Sequence, residues 1–443
     1  MSATGRAERR NVVLVTVDAW RADFVDAHAG VALTPSLAAV ADRTVRFDAA
    51  YANGPWTSPG LVSLFTGESP ARHRVHYEWS RPRTGGPAVA ATLAAAGFDV
   101  PNLCYLNRVG NYANLGYDPA GAPDYPHDPD DDLLVPALRA LRDRRAPAFL
   151  WFHYKFVHLP YWAGASYRRA LGVDDAAIHP RLRASVCQGF VVPRGQFRLE
   201  PDEDRAMVRR LYAAGVLQMN EWLGRVLEEL DHGDGALGAR TALVITADHG
   251  EELLDHGHVG HASTAHHATL HEEVLRIPLL IVDARARGGA RCVPARVQQV
   301  DLFPTLLSLA GVAPPAGGPG VDLAPLVLGA GRGGGAAAAG AAAAGAAAAA
   351  PDPARPFLFQ SARMGYLTPR THEGQEIEAL SDGTRKIVVE RYDESRTLLY
   401  DLAHDPGETA PLDAGPALDD ARAWLDRTRS ALANSGPRAT LEE

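Results

Sequence analysis

Short runs of β-branched and apolar residues recur between helix-patterned segments, and this alternation constrains the fold more than any other feature of the chain. Val12–Val17, Val45–Ala50, Ala148–His153, Thr241–Thr246 and Ile277–Val282 read as strands, and their near-continuous apolar character marks strands buried on both faces. Helical spacing occupies the intervals. Thr34 as N-cap and Pro35 at the first helical position predict a helix over Pro35–Asp42. In Glu203–Leu230 the residues Met207, Leu211, Val216, Met219, Leu223, Val226 and Leu230 fall at helical spacing, which predicts one long amphipathic helix. Parallel neighbours need crossovers, so strands alternating with helices predict an α/β fold with a large, mixed, mostly parallel central sheet.

The 443 residues suffice for a large core. Forty-four basic against 53 acidic side chains give a net charge of −9, which excludes a chain-wide footprint for nucleic acid or an anionic membrane surface. Cys104, Cys187 and Cys292 are too few and too scattered for a disulfide framework or a thiolate zinc cage. Arg9-Arg10 ahead of Asn11–Val17 imitates a secretory start, but the apolar run is short and ends in Asp18, so it reads as a strand. No apolar stretch approaches the roughly 20 residues that span a bilayer. A cytoplasmic protein with no membrane partner is expected. Oligomeric state leaves no trace in the sequence.

Between Gly329 and Ala350 the composition collapses to Gly and Ala, with one Arg. Such a segment has no side chains with which to build a core. The expected organisation is a catalytic domain over residues 1–328, a linker or loop over 329–354 and a small α+β subdomain over 355–443. In the last, Phe357–Gln360, Glu378–Leu380, Lys386–Glu390 and Thr397–Leu402 read as strands and Leu418–Leu432 as a closing helix.

Four strand ends carry residues capable of chemistry. Asp18 follows the first strand, where open α/β sheets place ligands, although an acid there also serves as a turn residue. Gly54-Pro55-Trp56-Thr57-Ser58-Pro59-Gly60 leads into a helix starting near Ser58, with Thr57 or Ser58 as N-cap and a hydroxyl at the positive helix end. An ordinary capped helix has the same pattern. The strand Thr241–Thr246 delivers Asp248 and His249 together onto a turn that Gly250 permits. Seven of the 17 histidines lie between His249 and His271, a density that points to metal or phosphoryl chemistry. His153 ends a fourth strand, with Lys155 and His158 just beyond it; Lys155 serves equally as an anion contact or a solvated side chain. Asp128–Asp132 reads as a solvated helix start.

In this order the motifs NVVLVTVDAWRAD (11–23), the segment 54–67, FLWFHYKFVHLPY (149–161), the segment 246–260, LRIPLLI (275–281), DLFPTLLSLAGV (301–312) and LYDLAHDPGE (399–408) resemble the sulfatase-like hydrolases of the alkaline phosphatase superfamily. The resemblance implies that family's sandwich, with helices flanking the sheet and a small C-terminal α+β subdomain. The departures are chemical. Sulfatases show Cys-x-Pro-x-Arg at the nucleophile, the Cys becoming formylglycine, whereas this chain has Thr57-Ser58-Pro59-Gly60-Leu61. Ala19 stands where a second acid is usual, and His261 where a sulfate-gripping Lys is usual. Threonine there is similar to the nucleotide pyrophosphatases and phosphoethanolamine transferases, which also carry an Asp-His pair like Asp248-His249 and a histidine twelve residues on, like His261.

The resemblance implies a divalent metal on Asp18, Thr57, Asp248 and His249, with Thr57 the nucleophile. His158 and His261 are then catalytic, while His153, Lys155 and Ser58 contact the substrate. Ser58 is the rival nucleophile, which register against Thr66-Gly67 disfavours. Carboxylates with imidazole suit zinc or manganese better than calcium. The expected substrate is a small anionic ester, and the expected enzyme a hydrolase or a transferase. A formylglycine hydrate can expel sulfate by collapsing to the aldehyde, whereas a threonine ester must be cleaved by external attack. That route favours phosphorus over sulfur. The alternatives are a sulfuric ester hydrolase and a degenerate anion-binding member without turnover.

Overall fold

The computed structural model describes residues 8–77, 80, 86, 88–108, 115–188, 199–233, 236–262, 268–286, 291–329, 351–362, 376–391, 396–412 and 415–434. The six main strands of the large sheet are β1 (Asn11–Val17), β2 (Thr44–Tyr51), β3 (Phe149–Tyr154), β4 (Thr241–Ala247), β5 (Leu279–Asp283) and β6 (Arg291–Gln298), in the order β6-β2-β5-β4-β1-β3. β1 runs parallel to both β3 and β4, and β2 parallel to β6; β5 is antiparallel to each of its neighbours. The sheet is therefore mixed and mostly parallel. Every residue of β1, β3 and β4 is buried, as their unbroken apolar runs require.

Local sequence and structure part in three places. The predicted strand Ile277–Val282 divides at Pro278 into Arg276–Ile277, which pairs with β2, and β5, because proline offers no N–H to a ladder. The Pro278 carbonyl instead accepts from Thr246 Oγ1 at 2.8 Å. β6 has no counterpart among the predicted strands. Its Pro294 breaks the alternation, and the register shifts between Val293 and Arg296, a bulge of the kind edge strands tolerate. The predicted helix Pro35–Asp42 is a single turn, Pro35–Ala38, followed by a 3-10 turn at Ala41–Arg43. Thr34 does not cap it, since its hydroxyl donates to the Val25 carbonyl.

The long helix is as the periodicity predicts, running over Pro201–Asp231. Asp132 accepts from the Leu134 and Val135 amides at the start of the helix Leu134–Leu141, so the acidic run does open a helix. Among the described residues no helix is long and apolar enough to cross a membrane.

A second sheet, β7 (Phe357–Ala362), β8 (Glu376–Ser381), β9 (Arg385–Glu390) and β10 (Thr397–Asp401), is an antiparallel meander. Alternation sends its two faces to different partners. Phe357, Phe359, Ile377 and Val388 pack with Tyr51, Trp56 and Leu275 of the main unit. Leu358, Leu380, Ile387 and Leu399 pack with Ala421 and Leu425 of the closing helix Pro416–Asn434. Of the predicted 329–354 linker, residues 330–350 lie outside the described residues.

One buried cation ties this subdomain down. Lys386 of β9 is fully buried, with Nζ 2.8 Å from Glu408 Oε1 and 3.2 Å from Glu272 Oε1. Removing one partner of a buried ionic group leaves uncompensated charge, at a cost of about 3–5 kcal/mol. Lys386→Met should lower stability by about that amount in urea denaturation followed by circular dichroism. A midpoint equal to that of the parent protein would show that the two carboxylates do not depend on this lysine.

Candidate metal centre and active site

Side-chain parity on the central strands assembles the site. In β1, Thr16 and Asp18 point to one face; in β4 and just beyond it, Thr246 and Asp248 do the same, and the register pairs Thr16 with both Thr246 and His153. Asp18, His153 and Asp248 consequently converge, all buried, each with a ligand atom within 4.8 Å of the others. His153 Nε2 lies 3.3 Å from Asp18 Oδ2 and 4.0 Å from Asp248 Oδ2. His249 joins them, its Nε2 being 3.5 Å from Asp18 Oδ1 and 3.4 Å from Asp248 Oδ2.

Hydrogen bonds aim these groups. His249 Nδ1–H donates to the Gly250 carbonyl at 2.7 Å, which turns Nε2 towards the carboxylates. His153 Nδ1 is hydrogen-bonded to Thr16 Oγ1 at 2.9 Å, which turns its Nε2 to the same point. Asp248 Oδ1 accepts from the amides of Ala19 and His249, at 3.1 and 2.9 Å, and this leaves Oδ2 for the centre. Asp18 Oδ1, Asp248 Oδ2 and His153 Nε2 are buried polar atoms with no hydrogen-bond partner. Orphaned atoms converging from two carboxylates and one imidazole, with His249 Nε2 beside them, are what a divalent cation satisfies.

Charge follows the same layout. Burial opposes ionisation of Asp18, but His158, His153 and His249 outweigh it and hold its carboxyl well below the usual range. Burial likewise opposes protonation of His249, yet Asp248 and Asp18 raise it to about 9.

The helix Thr57–Thr66 brings the hydroxyl to this centre. Its N-cap is Trp56, with extended backbone and no side-chain cap, so neither Thr57 nor Ser58 caps it as the sequence suggested. Thr57 is the first helical residue, and its Oγ1 lies 3.4 Å from His249 Nε2. Ser58, one position on, is completely buried, whereas Thr57 is part-exposed and lines the cleft. The helix can approach because residue 60 is glycine: a Cβ there would sit 2.3 Å from the Asp248 carbonyl oxygen. Gln299 closes the joint, donating to the carbonyls of Ala247 and Asp248 and accepting from the Asn53 amide.

A cleft of about 1050 Å³ opens above Thr57 and Asp18, walled by Trp56, Tyr105, Tyr125, Trp162 and Trp222. His158 and Lys155 line it. Lys155 Nζ sits 3.3 Å from the centroid of the Tyr125 ring, and burial lowers its pKa to about 8. His261 is buried beside the centre, its ring 4.2 Å from that of His249 and 4.8 Å from that of His158. His153, predicted as a substrate contact, does not line the cleft and stands with the carboxylates instead. Two groups escaped the sequence reading. Glu251, fully buried and pushed up to about 7 by burial, lies 2.8 Å from His261 Nδ1 and orients it. Thr16 orients His153 in the same way. Position 251 was legible as an acid beside the Asp-His pair, but its partner lies ten residues on and only the hairpin brings it back.

Residues 10–312 match the Sulfatase family model. A multifunctional alkaline phosphatase superfamily protein from Trinickia caryophylli is 25% identical over 415 residues, covering 72% of this chain and 77% of the relative. The choline-sulfatase of Rhizobium meliloti (strain 1021) is 23% identical, covering 92% of this chain and 83% of its own. Among solved structures, the phosphonate monoester hydrolase of Agrobacterium radiobacter superposes with a TM-score of 0.70 at 20% identity, over 96% of this chain and 95% of that one. With its α/β fold, its C-terminal subdomain and its matched residues, the chain belongs to the sulfatase family, within the alkaline phosphatase superfamily.

Proposed function

We propose that this sulfatase-family hydrolase cleaves a phosphate or phosphonate ester of a small anionic substrate, with Thr57 as the nucleophile. The observation that carries the reading is the Thr57 hydroxyl at the cleft floor, 3.4 Å from His249 Nε2, at the position where sulfatases carry an oxidisable cysteine. The partial positive charge of an uncapped helix start favours the developing alkoxide.

Asp18, Asp248, His249 and His153 would hold the divalent cation, with Thr57 adjoining it; the mixed O and N donor set suits zinc or manganese better than calcium. Such an ion, when bound, polarises an ester oxygen and lowers the pKa of a nearby hydroxyl. Thr57 Oγ1, its proton released to solvent, forms the new bond to phosphorus as the P–O bond to the leaving group breaks on the opposite side. His158, whose Nδ1 is tied to the Leu159 carbonyl, donates a proton from Nε2 to the departing oxygen when it is an imidazolium. Lys155 neutralises a non-bridging oxygen. His261, positioned by Glu251, is a second contact to the phosphoryl group and the base for the water that hydrolyses the covalent intermediate. The aromatic walls favour an apolar or aromatic leaving group. Three unpaired cysteines support a reducing, cytoplasmic setting. The start of the second sheet at Phe357 supports the division into residues 1–328, 329–354 and 355–443.

The test is a metal-loaded assay of p-nitrophenyl phosphate, bis-p-nitrophenyl phosphate, a phenylphosphonate ester and p-nitrophenyl sulfate. Phosphorus esters should turn over faster. A preference for the sulfate ester, as the choline-sulfatase likeness would have it, overturns the reading. Thr57→Ala should reduce kcat by at least about a thousandfold and abolish the phosphorylated peptide seen by mass spectrometry. Ser58→Ala, at a buried position, should stay within about tenfold of the parent. The reverse pattern would transfer the role to Ser58. Asp248→Asn should lose both activity and bound metal by elemental analysis; full metal content in that variant would displace the proposed centre.

A further inference from the structure

After Glu251 the chain forms a small hairpin, Glu252–Leu253 paired with Val259–Gly260, which returns His261 to the active site. Glu251 and His261 are ten residues apart in sequence, so their contact keeps its geometry only while the hairpin keeps its shape. That shape is strained. Leu254 has φ +67°, a region that a branched side chain occupies only where its surroundings over-determine it. The groups that do so come from outside the hairpin.

Arg21, three residues beyond Asp18, has a side chain only 5% exposed. Its guanidinium forks onto Asp23, Nε to Oδ1 at 2.8 Å and Nη2 to Oδ2 at 2.9 Å, while Nη1 donates to Asp255 Oδ2 at 2.5 Å and to the Glu251 carbonyl at 3.0 Å. Arg209 of the long helix meets the same two acids, Asp255 Oδ1 at 3.0 Å and Asp23 Oδ2 at 3.2 Å. Arg21, Asp23, Arg209 and Asp255 thus close a ring of alternating charge. Both guanidinium groups lie over the buried Phe24 ring, 5.5 and 4.9 Å from its centroid. In such a ring every ion has two opposite neighbours, and partial burial limits screening by salt.

The ring joins three parts of the chain. Arg205, Arg209 and Tyr212 share one face of the long helix, at i, i+4 and i+7. Arg205 Nε donates to the Leu254 carbonyl at 2.9 Å, on the strained residue itself. Tyr212 Oη accepts from the Arg21 amide at 2.9 Å and donates to the Ala19 carbonyl at 2.7 Å, beside Asp18. The Glu251 backbone is held from both sides, its N–H by the Glu273 carbonyl at 3.1 Å and its carbonyl by Arg21. Arg21, Asp23, Arg209 and Asp255 are all absent from the lining of the cleft, so they act on a substrate only through other groups.

We propose that Arg21 is a positioning residue for the reaction: through the ring with Asp23, Arg209 and Asp255 it locks the hairpin so that Glu251 holds His261 at the active site. The inference rests on the catalytic role given to His261 above, and is independent of Thr57 and of which ester is cleaved.

The experiment uses the full chain, metal-loaded, with the ester of the panel above that the parent protein turns over fastest. Arg21→Lys keeps the charge and loses the fork. It should lower kcat by about a hundredfold, the effect of displacing a reacting group by roughly 1 Å. KM and metal content by elemental analysis should stay at parent values, and amides 252–260 should exchange hydrogen faster. In a His261→Asn background the same change should cost less than about threefold, because the group it positions is already gone. Asp255→Asn, nearly isosteric, takes its place if Arg21→Lys fails to fold by circular dichroism, and should behave alike. With His261→Asn slow, three results overturn the proposal: the parent kcat in a folded, metal-replete Arg21→Lys or Asp255→Asn protein, a kcat loss matched by lost metal, or losses that multiply in the double variant. Parent turnover in His261→Asn alone overturns the role given to His261, and the positioning role falls with it.

Discussion

Two carboxylates buried side by side are the constraint on which the remaining structure depends. Asp18 and Asp248 end adjacent parallel strands, so the sheet's register forces like charges together in a dry setting. An isolated buried carboxylate is prohibitively costly. The surroundings answer in two ways. Backbone amides of Ala19 and His249 take one oxygen of Asp248, and His153 and His249 bring imidazole nitrogens to the rest. What is left is a set of orphaned, converging acceptor atoms at the strand ends, of the kind a divalent cation satisfies.

That centre also dictates how tightly the next layer packs. The helix bearing Thr57 must come against the Asp248 backbone, and only glycine at position 60 leaves room. Gly250 repeats the device on the other side, where a Cβ would meet the Glu273 carbonyl oxygen at 2.1 Å. The second sheet packs Phe357 and Phe359 into the same cluster as Trp56, so the residue before Thr57 belongs to the core that joins the two sheets. Position and chemistry are thus coupled: the helix start is held from beneath by the strand end and from above by the C-terminal subdomain.

Much of this was legible in the sequence because it is local. The fully buried strands β1, β3 and β4 announce themselves as unbroken apolar runs, and the helix over Pro201–Asp231 by its period. Asp18, Asp248 and His249 follow directly from strand ends. The failures have equally local causes. Pro278 and Pro294 interrupt strands that a ladder tolerates by splitting or bulging, and Thr34 spends its hydroxyl on Val25 rather than on a cap. His153, expected at the substrate, stands with the carboxylates instead, because whether a side chain faces the cleft or the neighbouring carboxylate is set by register with β1.

By itself the sequence determined the α/β class and the strand ends and helix start that carry carboxylate, imidazole and hydroxyl side chains, since each of these is written in periodicity or residue type over a few positions. Tertiary structure alone decided which groups share a point in space. It put His153 with Asp18 and Asp248, gave the cleft to Thr57 while burying Ser58, paired Glu251 with His261, and stacked His256 on His271. The physical reason is that strand pairing and hairpin closure join residues distant along the chain, and no local propensity encodes the register in which they meet.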